Sequence, residues 1–180
     1  HDVRVAMPKY AAVDDEKYSL LPILGDIRVR LDSAAHHGFV KKTVFPHTRI
    51  PVYFIANDSF FGRAGLYGEN GADYPDNALR FAFFCKAVIW LIKGLDWTPD
   101  VIHCNDWQTA LIPVYLRSDP EMLEDSDLAP IRVLYTIHNL AYQGLFPPGE
   151  CDRIGIGPEL FHPAGLEFWG KLNLMKGGIL

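Results

Sequence analysis

Two short apolar runs, each ending abruptly in polar residues, constrain this chain more than any other feature. "DVIHCNDWQTAL" runs from Asp100 to Leu111, and "IRVLYTIHNLAYQGLF" from Ile131 to Phe146. The apolar part of each is strand-length, and "IRVLYTI" is the clearest strand in the sequence. A helical pattern precedes the first run, another separates the two, and "GLEFWGKLNLMKGG" reads as a closing helix. Helix and strand in alternation predict an α/β fold, a Rossmann-like parallel sheet with flanking helices. In such sheets ligands bind beyond the carboxyl ends of the strands. The polar clusters at His103–Trp107 and His138–Gln143 stand where a ligand site is expected.

The first half supplies further strands. Val3–Met7 is a β-branched run closed by Pro8, and Ile27–Leu31 alternates with period two after a turn expected at Gly25-Asp26. "KKTVF" and "IPVYFIAN" read as two more strands. Residues 60–75 are rich in Gly, Asn and Asp and predict a long surface loop, a feature usually kept for function or motion. Asp76 is placed to cap a helix over Asn77–Leu95, whose apolar residues recur at three- and four-residue steps. "DWQTALIPVYLR" predicts a helix that Pro113 kinks or shortens, and residues 121–127 form an acidic connector.

Composition narrows the function classes. The 180 residues carry a net charge of -5 and no basic block, which argues against nucleic acid and anionic membranes as partners. No run approaches the roughly 20 apolar residues of a membrane span. Cys85, Cys104 and Cys151 lack paired spacing and read as reduced thiols; no zinc-ligand spacing exists, so no metal is expected. The chain opens without an initiator methionine or targeting segment and ends inside a helical pattern, and it reads as a piece of a longer protein. Serine-hydrolase elbows, phosphate loops and dinucleotide fingerprints are absent, and "GIGPE" at Gly155 reads as a turn.

Asp106 is the one acid at the tip of its strand. It could cap the following helix or accept hydrogen bonds from sugar hydroxyls. Trp107 could face a sugar ring or fill the core. His138, Asn139, Tyr142 and Gln143 are neutral donors and acceptors, suited to a hydroxyl-rich ligand, although a lone histidine after a strand is as often structural.

Together, "DVRVAMPKY", "YPDNALRFAFF", "PDVIHCNDWQTALIPVYL", "TIHNLAYQGLF" and "GLEFWGKLNLMKGGI" resemble bacterial glycogen synthase and plant starch synthase, in order and across nearly the whole chain. The resemblance implies the amino-terminal, acceptor-side half of a two-domain GT-B glycosyltransferase. Such an enzyme moves glucose from ADP-glucose to the non-reducing end of an α-1,4-glucan with retention, and needs no metal or other cofactor. Residues 1–180 would then be part of the amino-terminal domain. The family's first strand with its glycine-rich donor loop would precede His1, and the nucleotide-sugar domain would follow Leu180. By the same resemblance His138 is the active-site histidine and Asp106 a sugar-binding acid in the cleft. Tyr67, in "GLYGE", matches a tyrosine on the cleft-side loop, while Asn139, Tyr142 and Gln143 share the histidine's motif. Gln108 stands where many members carry histidine. Two alternatives stay open: a non-catalytic glucan-binding module using Trp107, Tyr67 and Trp169 as stacking faces, and a related retaining transferase using UDP-glucose. The implied compartment is bacterial cytoplasm, or plastid for a plant or algal source.

Overall fold

Period-two burial builds the first sheet. A computed structural model describes all 180 residues, beginning with β1 (Val5–Pro8), β2 (Leu21–Leu31), β3 (Ala34–Val44) and β4 (Pro51–Ala56). Their order is β1-β4-β3-β2, with β1 parallel to β4 and the other pairs antiparallel. Ile27, Val29 and Leu31 point into the core while Arg28 and Arg30 face outward. The turn expected at Gly25-Asp26 does not form. β2 continues through it, because one extra residue between Leu24 and Ile27 is absorbed as a bulge opposite Val40 and Gly38. Asp26 takes the left-handed conformation there, φ 52°. The hairpin turns instead at Asp32-Ser33, two consecutive positive-φ residues.

Next come α1 (Asp58–Phe61), the small hairpin β5 (Gly68–Glu69) and β6 (Ala72–Asp73), and α2 (Asn77–Gly94). The loop expected over residues 60–75 is thus partly ordered into a helix end and a hairpin. It is also tied down. Arg80, fully buried in α2, donates to Phe60 O (2.7 Å), Leu66 O (3.1 Å) and Asn77 Oδ1 (2.6 Å). Those bonds offset the cost of removing a guanidinium from water. Asp76 makes no side-chain cap bond; its carboxylate is held by Arg63 Nη1 and Nη2 at 2.7 and 2.6 Å. A bidentate charge-assisted pair outcompetes a single backbone N–H. α2 is buried along most of its circumference by Phe81, Phe83, Phe84, Ile89 and Leu91, and forms the spine of the core.

The second half supplies β7 (Val101–Asn105), α3 (Leu111–Ser118), α4 (Pro120–Leu123) and β8 (Arg132–Thr136). The helix expected from Asp106 splits: a 3-10 turn at Trp107–Thr109 precedes α3, and Pro113 sits in the first turn of α3, where a missing N–H is tolerated. β7 and β8 pair in parallel, Asn105 beside Thr136. β9 (Leu145–Phe146), α5 (Glu150–Arg153), β10 (Glu167–Phe168), β11 (Lys171–Asn173) and α6 (Leu174–Ile179) complete the chain. The helix expected over "GLEFWGKLNLMKGG" is therefore only α6. Its first part is a β-hairpin, because Trp169 and Gly170 take φ 52° and 74° and Leu172 pairs with Phe146 to give a β10-β11-β9 sheet.

β1 and β7 are not hydrogen-bonded to each other. Between them lies a largely apolar groove of about 520 Å³, with Val3, Val5, Phe84, Leu91, Val101 and Ile112 among its lining. No helix is long and apolar enough to cross a membrane.

Candidate functional site

The two polar strand ends meet because β7 and β8 are adjacent and in register. Asp106, one residue past β7, continues the ladder by donating its N–H to Thr136 O at 2.9 Å. Its backbone lies at φ 57°, ψ -178°, a region that residues other than glycine rarely occupy. The carboxylate does not cap its own helix. Oδ1 instead accepts the backbone N–H of His138 at 2.7 Å and of Asn139 at 3.4 Å, so the carboxylate of one strand end sets the loop leaving the other. Oδ2 has no hydrogen-bond partner within the chain and remains available to a ligand.

His138 is oriented from the same strand end. Its Nε2 lies 2.9 Å from Asn105 Oδ1. Asn105 Nδ2 donates to His103 O at 3.2 Å, which turns the amide oxygen toward the imidazole. Nε2 must then carry the proton, leaving Nδ1 as the acceptor of the neutral ring. Thr109 Oγ1 holds Asn105 in turn, accepting its N–H at 2.6 Å and lying 2.8 Å from its carbonyl oxygen.

A cleft of about 560 Å³ opens beside this pair. Tyr67, Asp106, Trp107, Gln108, Asn139, Tyr142 and Gln143 all line it, so the fold gathers seven of the eight expected site residues from three separated segments. The eighth, His138, does not line it; its ring is turned to Asn105 at the edge. Trp107 is 8% exposed and forms the floor, packed edge-to-face on Phe81 at 4.9 Å and near Phe146 and Tyr67. Gly144, φ 65°, lies so close that a Cβ there would sit 2.7 Å from the indole. Tyr67 is held by Asn77 Nδ2, which donates to its carbonyl at 2.8 Å.

The loop residues divide by role. Gln143 is engaged at both ends of its amide: Nε2 donates to Leu140 O and Oε1 accepts from Asn173 Nδ2 at 2.7 Å. Asn173 also caps α6 through Lys176 N at 2.9 Å, so Gln143 ties the loop to that helix. The side-chain polar groups of Gln108 and Tyr142 make no hydrogen bond within the chain, and Tyr142 is 69% exposed. The lining holds two carboxylates, Asp73 and Asp106, and no lysine or arginine. Such a surface repels a phosphate and suits an uncharged, hydroxyl-rich ligand. No cluster of three or more His, Cys, Asp or Glu could hold a metal.

Sequence reasoning missed Asn105, Asp73, Asn77 and Gly144. Asn105 had a signal, being the polar residue just before Asp106 in the "HCND" strand end. Gly144 had none stronger than its place in a polar loop.

Comparison with known proteins identifies the family of the chain. The sequence profile of the starch synthase catalytic domain family matches residues 1–180. Glycogen synthase 2 of Geobacter metallireducens is 44% identical over 180 residues, covering 100% of this chain and 36% of the relative. Glycogen synthase 2 of Geobacter sulfurreducens is 46% identical over the same length, again covering 100% and 36%. The chain thus spans about a third of the length of these relatives. Among solved structures, the catalytic domain of starch synthase IV from Arabidopsis thaliana, bound to ADP and acarbose, superposes with a TM-score of 0.82 at 28% identity, over 99% of this chain and 36% of that one. With an α/β GT-B fold and a family match from end to end, this chain belongs to the starch synthase catalytic domain family of glycosyltransferases.

Proposed function

We propose that the chain is the acceptor-side part of an enzyme that transfers glucose from ADP-glucose to the non-reducing end of an α-1,4-glucan with retention. The observation that carries this reading is the cleft itself. Neutral hydrogen-bonding groups and one oriented carboxylate surround an aromatic floor at the carboxyl ends of two parallel strands, in a chain whose relatives are glycogen synthases.

Each residue then has a task. Asp106 Oδ2 accepts a sugar hydroxyl while Oδ1 holds the loop. His138 Nδ1 accepts a second hydroxyl, its ring kept in one tautomer by Asn105. Trp107 presents its edge to the sugar's apolar face, and Tyr67, Gln108, Asn139 and Tyr142 supply polar contacts at the rim. Gln143 positions the loop rather than the sugar. Fixing the acceptor and the glucose ring in this way lowers the barrier by orientation. The cations that stabilise a departing diphosphate come from outside these residues, since the cleft has none.

The residues that complete the enzyme belong before and after this stretch. A parallel strand from outside residues 1–180 fills the groove between β1 and β7, whose facing edges are unpaired and apolar. Slow amide exchange at Ala6 and Val101, whose N–H groups point away from β4 and β8, in the complete protein would match that placement; rapid exchange there would refute it. The compartment that fits this reading is the bacterial cytoplasm.

The test is glucose incorporation into glycogen by the complete reading frame, with ADP-glucose and UDP-glucose side by side and His138→Ala as control. Incorporation from ADP-glucose that collapses in the variant is expected. A near-normal rate in the variant would remove His138 from the mechanism. Preference for UDP-glucose would replace the donor. Binding of glycogen with no transfer from either donor would leave a glucan-binding module.

A further inference from the structure

The most exposed large hydrophobic residue of the chain is Trp169, 88% accessible at the tip of the β10–β11 hairpin. Two features show that this is a built position. Its backbone is left-handed, φ 52°, a conformation that glycine or asparagine adopts at less cost. The turn is also braced: Gly170 N–H donates to Glu167 Oε1 at 2.6 Å, and Lys176 Nζ donates to the carbonyls of Glu167 and Pro163 at 2.6 and 2.5 Å. Phe168 stands edge-on to the indole, ring centres 6.4 Å apart. The hairpin therefore presents its ring from a rigid support.

Its position relates it to the cleft. β11 pairs with β9, whose Leu145 and Phe146 line the cleft, and Leu172 is the partner of Phe146. Trp169 lies at the turn, two positions beyond the Glu167–Leu172 pair, roughly 7 Å along the hairpin from the level of Phe146 at strand rise. On the hairpin its neighbours are the half-exposed Phe168, edge-on to it, and the polar or small Glu167, Gly170 and Lys171, so the exposed aromatic surface there is two adjacent rings with polar groups beside them. A protein partner of standard size would need a contiguous patch of about 800 Å². A sugar ring needs one aromatic face for its C–H side and water or polar groups for its hydroxyls.

We propose that Trp169 is a distal platform for the glucan acceptor, stacking on a sugar unit of a chain whose end lies in the cleft. The inference rests on the acceptor-side reading above. It predicts dependence on acceptor length. In the complete enzyme, Trp169→Ala raises KM for glycogen about three- to tenfold, the size of one lost aromatic contact. It leaves kcat, and the KM for maltotriose and for ADP-glucose, unchanged, and Trp169→Tyr restores most of the glycogen affinity. Unchanged glycogen KM in Trp169→Ala overturns the proposal. A fall in kcat shared by maltotriose and glycogen also overturns it, because the ring then packs against another part of the enzyme. Electrophoresis of the same variants through glycogen-containing gels separates this from failure of the transferase reading. If the wild type transfers no glucose, weaker retardation of Trp169→Ala still supports the platform, and equal retardation refutes it.

Discussion

Asp106 holds a backbone conformation that stores strain, and three substitutions separate that strain from the bonds that offset it. At φ 57° and ψ -178° the residue sits where only glycine is comfortable, at a cost of about 1–3 kcal/mol. Its carboxylate accepts the His138 and Asn139 N–H groups, and a hydrogen bond to a charged group is worth about 1.5–3 kcal/mol. Asp106→Ala loses the bonds and keeps the strain, so it destabilises by about 1.5–3 kcal/mol. Asp106→Gly loses the same bonds but relieves the strain, offset by about 0.5–1 kcal/mol of extra backbone entropy. Glycine should therefore be more stable than alanine by on the order of 1 kcal/mol, the reverse of the usual order for these two residues. Asp106→Asn keeps an oxygen acceptor and falls between wild type and alanine. Urea midpoints of the complete protein, followed by tryptophan fluorescence, read the order. Glucose transfer should be lost in the glycine variant although its stability is partly recovered, because Oδ2 is gone. An alanine variant as stable as the glycine variant would refute the strain, and one as stable as wild type would refute the bonds.

Gly144→Ala places a Cβ 2.7 Å from the Trp107 ring at φ 65°, and should cost about 2–4 kcal/mol, read as a lowered melting temperature; an unchanged value would contradict the close packing of loop on indole. The Asp76 carboxyl, which burial alone would raise, is held below its ordinary value of 3.8 by the hydrogen bonds from Arg63. Its contribution is present at neutral pH and is lost as pH falls through the folded-state value. Arg63→Met should thus destabilise by about 1–3 kcal/mol at pH 7 and by progressively less below pH 4, and a gap in urea midpoints that stays constant to pH 3 would refute this. Burial pushes the Cys104 thiol up to about 12 and raises Cys85 and Cys151 as well. Ellman's reagent at pH 8 should leave these three unmodified in the native protein and titrate all of them in urea; rapid native labelling of any of them would contradict the burial.

Local sequence determined much of this protein. Strand runs of β-branched residues, the buried face of α2 and the polar ends of β7 and β8 are written in neighbouring residues, since periodicity and strand-end polarity are local properties. So are the identities of Asp106 and His138 as the groups to watch. Tertiary structure decided what those groups do. Asp106 is a good cap by composition, yet its carboxylate serves a loop 32 residues away, because parallel pairing of β7 and β8 offers it the His138 and Asn139 N–H groups. Asp76 was drawn from its helix end by Arg63, and Gly25-Asp26 became a bulge because β3 continues past it as a partner. "GLEFWGKLNLMKGG" has helical spacing of apolar residues, but Phe146 and Leu145 present a strand edge to Leu172 and Asn173, and pairing with that edge outweighs propensity. The tautomer of His138 likewise depends on Asn105, 33 positions earlier in the chain. A residue's type sets which bonds it can make; which it does make depends on the partners that packing brings within about 3 Å.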